Sequence, residues 1–380
     1  MTQQQVGMFS CGQCADCLAY GLCGGCNGNC KHTCAVEDKS RGKREVLTCY
    51  HKQLPRWLTE VGTLLLDDVI AKPESLPWLP PFVPQIKRGL SPLPRYPAYA
   101  VSSNIMQHEI LSGCDLSGKR DLLGIPRQSA FVLLLHGKDR DVEPLWEWQD
   151  NAIKSIKSGA FDLVVPPDFS VMWDEPRFEH VLNMRRTLLF YRLLQDNDIP
   201  TVPHLFWYRP VDLHRHIEWL KANPCVSTIA VNVQQARETQ VWRHILDGLG
   251  NLQRNVPHEV HFLLCGVSNP ARIREARKFL GHGAFTSLLP YMLAVHHRRL
   301  RFRQDRVIRE WRRSSTPRVL LQQNTRAVAE FVHNTSPLRR KRPRRQSQFA
   351  GRRVDTDSLL MTTSLLAPGL PNAATEKALS

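Results

Sequence analysis

The stretch AFVLLLHGKD, Ala130–Asp139, indicates the fold of the main part of the chain. An uninterrupted apolar run opens it, and the polar or flexible residues HGKD follow at once. A continuous apolar run of this kind is typical of a strand buried on both faces, as in a parallel sheet. A helical pattern of apolar residues follows from Val142 to Lys157. The stretch therefore predicts one strand–helix unit of an α/β fold.

The same order of a short apolar run and an amphipathic stretch recurs along the chain. The runs that are each followed by a helical pattern are FDLVVPPDFS, IPTVPHLFWY, STIAVNVQQ and EVHFLLCGVSNP. AFTSLLPYMLAV adds a further strand, and AYAVSSNI an earlier one. We therefore expect an α/β domain of the TIM-barrel-like (β/α)8 type over residues 98–296, and a doubly wound open parallel sheet is the alternative.

Composition divides the rest of the chain into segments outside this domain. They are a Cys-rich segment over residues 8–50, a Pro-rich linker over 51–97, a basic helical extension over 297–335 and a disordered basic tail over 336–380. Two short helices are expected in the basic extension. Thr316 is the predicted N-cap of the second one and Pro317 its first residue.

The Cys-rich segment has the spacing of a metal site. Its candidate ligands are Cys11, Cys14, Cys17, Cys23, Cys26, Cys30 and Cys34. Pairs of C-x2-C steps can bring four thiolates onto one ion, and the segment has few apolar residues to fold around, so an ion would supply its folding energy. We expect structural zinc. An iron–sulfur cluster is the alternative, because C-x2-C-x2-C also matches the start of a ferredoxin run.

Cellular location is predicted from what the sequence lacks. The first residues show no signal-peptide pattern, and no apolar run approaches the roughly 18 residues that cross a membrane. We therefore expect a cytoplasmic protein without a membrane partner, in which association with the nucleoid would follow from its charge. A dense Cys cluster in a reducing compartment also favours metal over disulfides.

The positive charge is concentrated near the C-terminus. The chain has a net charge of +16, and nearly all of the surplus lies between Arg298 and Arg353. Arginine suits planar contacts to phosphate and bases. We therefore expect DNA or RNA as partner, with a solubilising tail as the alternative. The candidate contacts are Arg298, Arg299, Arg301, Arg303, Arg339, Arg340, Lys341, Arg342, Arg344 and Arg345.

Chemistry in this fold class belongs at the carboxyl ends of the strands. The residues expected there are His136, Lys138, Asp139, Asp168, Ser170, His204, Trp207, Tyr208, Asn232, Gln234, Gln235, Gly266, Ser268 and Asn269. Asp168 is the first candidate catalytic carboxylate, because Pro166 and Pro167 end its strand abruptly. An Asx turn or a helix cap is the alternative role for Asp168. Asp139 is the second candidate carboxylate.

Other side chains at these strand ends are candidates for substrate binding. Trp207 and Tyr208 could stack on a nucleobase, although large aromatic residues also pack routinely against barrels. Gln234, Ser268 and Asn269 offer hydrogen-bonding groups. Asn269 is also the predicted N-cap of the following helix, where free backbone N–H groups can bind an anion.

Part of the chain resembles two families. The stretches VVPPDFSVMWDEPRFEHVLNMRR and DIPTVPHLFWYRPVDLHRHIEWL resemble an uncharacterised family of bacterial, plasmid and phage proteins, over roughly Phe161 to Leu293. IAVNVQQ, VHFLLCGVSNPARIREA and AFTSLLP are similar to segments of the tRNA-guanine transglycosylase superfamily and its DNA-acting deazaguanine relatives.

The second resemblance implies a zinc-containing barrel that exchanges a base through an aspartate. Thr286 stands where that aspartate would be, and Gln235 replaces a glycine, so the resemblance implies that Asp168 and Asp139 share the work. We therefore expect a nucleic-acid-associated enzyme of this barrel class, such as a nucleobase transglycosylase or a glycosidic-bond hydrolase. The alternative is a non-enzymatic DNA-binding or accessory factor of a plasmid, phage or other mobile element.

Overall fold

The computed structural model describes residues 59–73, 75–169, 171, 177–280, 283–303 and 306–335. The Cys-rich segment and the tail beyond residue 335 lie outside these described residues, so the structure gives no account of them. No helix among the described residues has the length and apolar character needed to cross a membrane.

The predicted barrel is confirmed, with parallel strands throughout its main sheet. The strands are β1 (Phe82–Ile86), β2 (Ala98–Ser102), β3 (Ala130–Leu134), β4 (Leu163–Val165), β5 (Thr228–Asn232), β6 (His261–Cys265) and β7 (Ala284–Ser287). Their order across the sheet is β4-β3-β2-β1-β7-β6-β5. The sheet edges are therefore β4 and β5, which are successive strands of the chain.

A short segment at residues 201–204, called here the closing segment, joins these two edges into a ring. Thr201 bridges to Val164 of β4, and His204 bridges to Ala230 of β5, both in parallel. The N–H of Ala230 donates to the carbonyl of Pro203 at 2.8 Å. The closing segment occupies the position of an eighth strand in the barrel. It does not pair continuously with its neighbours, because Pro200 and Pro203 have no N–H to donate.

Helices surround the ring. The helices are α1 (Gln107–Leu111), α2 (Lys119–Leu122), α3 (Asp139–Glu147), α4 (Gln149–Ser158), α5 (Arg177–Asp196), α6 (Pro210–Ala222), α7 (Thr239–Asn255), α8 (Pro270–Ala276), α9 (Leu289–Val295) and α10 (Pro317–Asn334). The predicted N-cap of α8 is confirmed, because the Asn269 side chain accepts from the N–H of Ala271 at 2.9 Å. Thr316 is the N-cap of α10, as predicted.

The prediction that the barrel begins at residue 98, after a linker, is wrong. Phe82–Ile86 forms β1 within the predicted linker and pairs with both β2 and β7. Its sequence FVPQI contains Pro84, which argued against a central strand. Upstream of β1, Val61 and Leu64 are also buried, and Arg185 of α5 binds the carboxylate of Asp68. This part of the chain therefore belongs to the barrel domain.

The expected first helix of the basic extension is also wrong. Arg298–Arg303 (β8) and Arg306–Trp311 (β9) pair as an antiparallel hairpin. Alternating residues explain this, since Leu300 and Phe302 point to one face and their arginine neighbours to the other. Phe302 stacks on Phe331 of α10, with ring centroids 4.4 Å apart. The hairpin and α10 therefore pack together.

Every second side chain of each strand points into the barrel interior. These inward side chains form apolar layers, which are followed by a polar layer at the carboxyl ends of the strands. The buried apolar residues that share the interior are Val83, Ala98, Ala100, Val132, Leu134, Leu163, Val165, Val202, Ala230, Leu263, Cys265 and Ala284. Because successive inward positions on a strand lie two residues apart, continuing this pattern toward the carboxyl ends predicts which polar side chains enter the interior there.

Candidate functional site

Polar side chains occupy the carboxyl end of the barrel interior, called here the mouth. They follow the apolar layers at two-residue spacing and come from almost every strand position: Gln85, Ser102, His136, His204, Asn232 and Thr286. Side-chain hydrogen bonds link some of them. The Gln85 Nε2 donates to Thr286 Oγ1 at 2.6 Å, and Ser102 Oγ donates to the His136 carbonyl at 2.9 Å.

Asp168 lies next to this layer at the carboxyl end of the barrel, where the sequence predicts it. The side-chain amide of Asn232 donates to Asp168 Oδ2, and Asn232 Oδ1 accepts from the Gln234 N–H at 3.1 Å. One carboxylate oxygen of Asp168 and one ring nitrogen of each of His136 and His204 lie within 4.8 Å of one another. The sequence places all these residues at strand ends, but it did not single out the two histidines.

The carboxyl group of Asp168 is held toward its neutral form. Burial raises the pKa of Asp168 to about 7, and the Asn232 hydrogen bond opposes the rise while the charge of Asp139 adds to it. Asp168 Oδ1 is buried and has no hydrogen-bond partner among the described residues. A carboxylic acid with a pKa near neutrality can both donate and accept a proton at physiological pH.

The two histidines are neutral. Burial lowers the pKa of His136 to about 3, and burial, with the nearby His136 adding to it, lowers the pKa of His204 well below its usual value. The backbone N–H of Asn232 donates to His204 Nε2 at 3.0 Å. In a neutral imidazole the accepting nitrogen carries the lone pair, so the His204 proton is on Nδ1.

His136 has unused hydrogen-bonding groups. It is 3% exposed, and neither of its ring nitrogens finds a partner among the described residues. Its ring centroid lies 4.8 Å from that of His204. Buried polar atoms normally have partners, so such orphaned atoms next to a cavity indicate a site that a ligand completes.

Phe169, the residue after Asp168, anchors this part of the chain. Phe169 is buried, with the guanidinium carbon of Arg186 3.9 Å from its ring centroid and Trp146 5.9 Å away in an edge-on arrangement. Arg186 is fully buried and pairs with Glu143 of α3 at 2.7 Å. A buried charge is stable only when it is paired in this way. These contacts fix the backbone at Asp168.

An open cavity of about 610 Å³ lies at the mouth, within the roughly 300–1,000 Å³ typical of small-molecule sites. His136 and Ser102 line it, and Asp168 is not among its lining residues. Its side-chain amides come from Gln85, Asn104, Gln234 and Gln235. The cavity therefore offers several side-chain hydrogen-bond donors and acceptors near the partly buried Asp168.

Gln234, a predicted substrate-binding residue, is positioned at this cavity by a glycine. Gly266 follows β6 with a φ of +96°, and a Cβ atom there would lie 2.1 Å from Gln234 Cγ. A side chain at position 266 would therefore displace Gln234. Asp139, the second predicted carboxylate, opens α3 and is close enough to Asp168 to raise its pKa, but it does not line the cavity.

The predicted stacking role of Trp207 is wrong. Trp207 is 2% exposed, because its ring packs against Gly248 of α7, where a Cβ would lie 2.3 Å from ring atoms. Tyr208 is exposed but does not line the cavity, and its ring makes an edge contact with His180 at 5.5 Å. Ser268 and Asn269 are exposed residues outside the cavity lining.

The spacing of His136, Asp168 and His204 also raises the question of a metal ion. His and carboxylate ligands suit divalent transition metals. However, the His204 Nε2 lone pair accepts the Asn232 N–H, so Nδ1 carries the proton and has no lone pair for a metal. The two remaining residues supply fewer ligands than a typical catalytic zinc site. In this arrangement the residues fit proton transfer better than metal binding.

The other predicted metal and nucleic-acid contacts divide between described and undescribed parts of the chain. The residues outside the described part are Cys11, Cys14, Cys17, Cys23, Cys26, Cys30, Cys34, Arg339, Arg340, Lys341, Arg342, Arg344 and Arg345. The expectations of zinc, of an iron–sulfur cluster and of a basic tail therefore stay predictions.

The β8–β9 hairpin presents the remaining predicted arginines. Strand alternation places Arg299, Arg301, Arg303 and Arg306 on one face. Arg301 pairs with Glu310 at 3.4 Å, whereas the other three side chains make no ion pair within the described part of the chain. Arg298 is on the opposite face, 4.4 Å from the Trp311 ring centroid.

Comparison with known proteins adds no family. No protein-family model matches the chain, and no curated protein matches it. Among solved structures, a cube-shaped, highly porous protein cage designed by fusing symmetric oligomeric domains is 11% identical, covers 67% of this chain and 73% of its own, and gives a TM-score of 0.35. A structure described as native KDPGal is 12% identical to this chain. The match covers 69% of this chain and 98% of that structure's chain, and its TM-score is also 0.35. Neither likeness carries an argument about function.

Proposed function

We propose that the chain is a nucleic-acid-associated enzyme that cleaves the N-glycosidic bond of a nucleobase at the mouth of the barrel. The observation that carries the proposal is the partly buried acid Asp168 beside His136, a residue that lines an open cavity and whose buried ring nitrogens have no partner among the described residues. Bond cleavage between a sugar and a base needs a proton donor for the leaving nitrogen. Asp168 is suited to that role because its pKa is raised to about 7.

The proton reaches the substrate through His136, because His136 lines the cavity and Asp168 does not. As the C1′–N bond breaks, its electron pair goes to the base nitrogen, which takes the proton of the His136 N–H. His136 receives the Asp168 proton on its other nitrogen. This exchange keeps the imidazole neutral, as its low pKa requires. The Asp168 carboxylate that remains stabilises the positive charge on the sugar.

Water then completes the reaction. Its oxygen bonds to C1′, and its proton returns through His136 to Asp168, so that the acid is restored and the products are the free base and the sugar. A second base in place of water would make the same step an exchange of bases. Asn232 is a positioning residue here, because it holds the carboxyl group of Asp168 and the ring of His204.

The proposal that the substrate is a nucleobase draws on the cavity lining and on the hairpin. Gln85, Asn104, Gln234 and Gln235 provide amide groups of the kind that read the edges of bases. The hairpin arginines that make no ion pair with another described residue supply sequence-independent attraction for phosphates. This attraction would concentrate nucleic acid at the protein without selecting a base.

The experiment incubates the full chain with DNA and, separately, with RNA, and measures free bases and altered nucleosides by mass spectrometry. Release or exchange of a base by the wild type, and its loss in Asp168→Asn and in His136→Gln, supports the proposal. Salt-dependent binding of nucleic acid without any change in the bases would instead support the accessory factor.

A further inference from the structure

Three cationic side chains converge on the cavity at the mouth from three different loops. Lys87 follows β1, Lys138 follows β3 and Arg237 follows β5, and all three line the cavity of about 610 Å³. Each side chain is exposed. None of the three makes an ion pair or a side-chain hydrogen bond with another described residue. These charges are therefore available to a ligand.

The balance of charge at this cavity favours an anion. Asp141 is the acid among the lining residues, and its carboxylate already has Arg140 Nε at 3.5 Å. Exposed lysines and arginines are common on any surface, so their number alone says little. The relevant observation is that three cationic side chains line one cavity and form no ion pair with an acidic residue of its lining.

A second observation at the same cavity also indicates a ligand. His136 is 3% exposed, lines the cavity and has two ring nitrogens without partners among the described residues. A neutral imidazole can donate one hydrogen bond to a bound oxygen. A second cavity, of about 400 Å³, lies at the opposite end of the barrel. Unlike the cavity at the mouth, it has no lysine or arginine in its lining.

We infer that the mouth contains a phosphate subsite formed by Lys87, Lys138 and Arg237, which binds the phosphate attached to the sugar whose base is processed. This inference rests on the proposed function, since it places a nucleotide in the cavity of that site. The phosphate carries a full negative charge, and charge-assisted hydrogen bonds to it are about twice as strong as neutral ones. The substrate is therefore a nucleotide unit and not a free nucleoside.

The position of this subsite differs from the usual phosphate site of such barrels. Barrels of this type frequently bind phosphate through the loops after their last two strands. Here the cations follow β1, β3 and β5, so they reach the cavity from separate parts of the ring, and His136 and Gln234 follow two of the same strands. A phosphate held there would leave the base and the C1′ atom facing the amides and His136.

The test measures binding to the full chain by isothermal titration calorimetry, with the common nucleosides, their 5′-monophosphates and single-stranded trinucleotides as probes. The 5′-monophosphate of at least one base is expected to bind at least about tenfold more tightly than its nucleoside. The double variant Lys138→Gln/Arg237→Gln is expected to lose that difference. A trinucleotide that binds while every monophosphate fails would show that the cations hold backbone phosphates of a strand.

The matched control is Lys154→Gln/Arg243→Gln, which removes the same charge at exposed positions of α4 and α7 outside the cavity lining and is expected to keep the tenfold difference. Equal binding of nucleoside and monophosphate, an equal loss in the control, or no binding of any probe would overturn the subsite. Asp168→Asn separates the two proposals, because it is expected to abolish base release while phosphate binding stays unchanged. Base release that survives in Asp168→Asn would reject the proposed chemistry but not the subsite.

Discussion

The backbone N–H of Asn232 lies 3.0 Å from Nε2 of His204 and donates to it. This bond fixes the His204 proton on Nδ1. Asn232 also donates from its side chain to Asp168. One residue at the end of β5 therefore orients two of the three titratable groups at the mouth.

The first prediction concerns this tautomer. His204 is expected to stay neutral with its proton on Nδ1 from about pH 5 to about pH 8, because burial lowers its pKa well below 6.5. Long-range ¹H–¹⁵N NMR of histidine-labelled protein distinguishes the two nitrogens, and His204→Gln assigns the signal. A proton on Nε2, or titration near pH 6.5, would contradict the arrangement and would reopen the case for a metal ion.

Asp168→Asn is expected to gain stability relative to the wild type as pH rises. Burial raises the pKa of Asp168 from 3.8 to about 7, so between these values the folded state binds the proton more tightly than the unfolded chain. Wild-type stability therefore falls as pH rises through this window, and the uncharged Asn side chain removes that loss. The change in relative stability is expected to be roughly 1–4 kcal/mol, since one pKa unit is about 1.4 kcal/mol.

Urea unfolding at about pH 4 and at about pH 8 measures this difference. The histidines at the mouth are the same in both proteins, so their titration cancels in the comparison. Asp67→Asn, which makes the same chemical change at an exposed position, is the matched control and should not reproduce the effect. A constant difference between Asp168→Asn and the wild type would show that the Asp168 carboxyl group is not held neutral.

Gly248→Ala is expected to destabilise the protein by roughly 1–3 kcal/mol, the usual cost of overpacking a core. Alanine is ordinarily better than glycine inside a helix by up to about 1 kcal/mol. Here the new Cβ would lie 2.3 Å from ring atoms of the buried Trp207, so the steric cost exceeds that gain. Thermal unfolding measures the change, with Gly118→Ala, where no atom lies within 4 Å, as the control. Unchanged stability of Gly248→Ala would mean that Trp207 can leave the core.

Helix α10 is expected to be essential for folding of the barrel domain. Its residues Leu320, Leu321, Val328 and Val332 are buried, and each such side chain contributes about 1.5–3 kcal/mol. Their sum is comparable to the whole stability of a typical domain. A chain that ends after Ser315, just before α10, should therefore show no cooperative unfolding, whereas a chain that ends after Thr335 should unfold cooperatively. Equal cooperativity by circular dichroism would contradict this role.

The fold class was predictable because most barrel strands are continuous apolar runs, such as Ala130–Leu134. The first strand was missed because FVPQI contains Pro84 within a Pro-rich stretch, and the ladder to β2 and β7 decides its conformation. The hairpin was missed for another reason: its arginines and apolar residues match helical spacing as well as strand alternation. Tertiary packing on Phe331 selects the strand.

The site was predictable in part. Asp168 follows a strand and two prolines, and this position at the mouth is confirmed. The importance of His136 and His204 was not visible, because a histidine at a strand end is equally common in a satisfied core. Their buried and partly orphaned state depends on the closure of the ring by residues 201–204. Trp207 was misjudged because it follows His204 by only three residues, and the sequence does not reveal that the chain has already left the barrel interior there.

The dependence of base release on pH in the wild type and in Asp168→Asn tests the central claim most directly. The measurement follows free base from DNA or RNA at a series of pH values, with Asp67→Asn as control. Loss of the proton donor is expected to lower the rate by about 10²–10⁴-fold in Asp168→Asn, and the wild-type rate should fall above a midpoint of about 7, where Asp168 loses its proton. Undiminished release by Asp168→Asn, or wild-type release that does not change through that midpoint, would contradict the account.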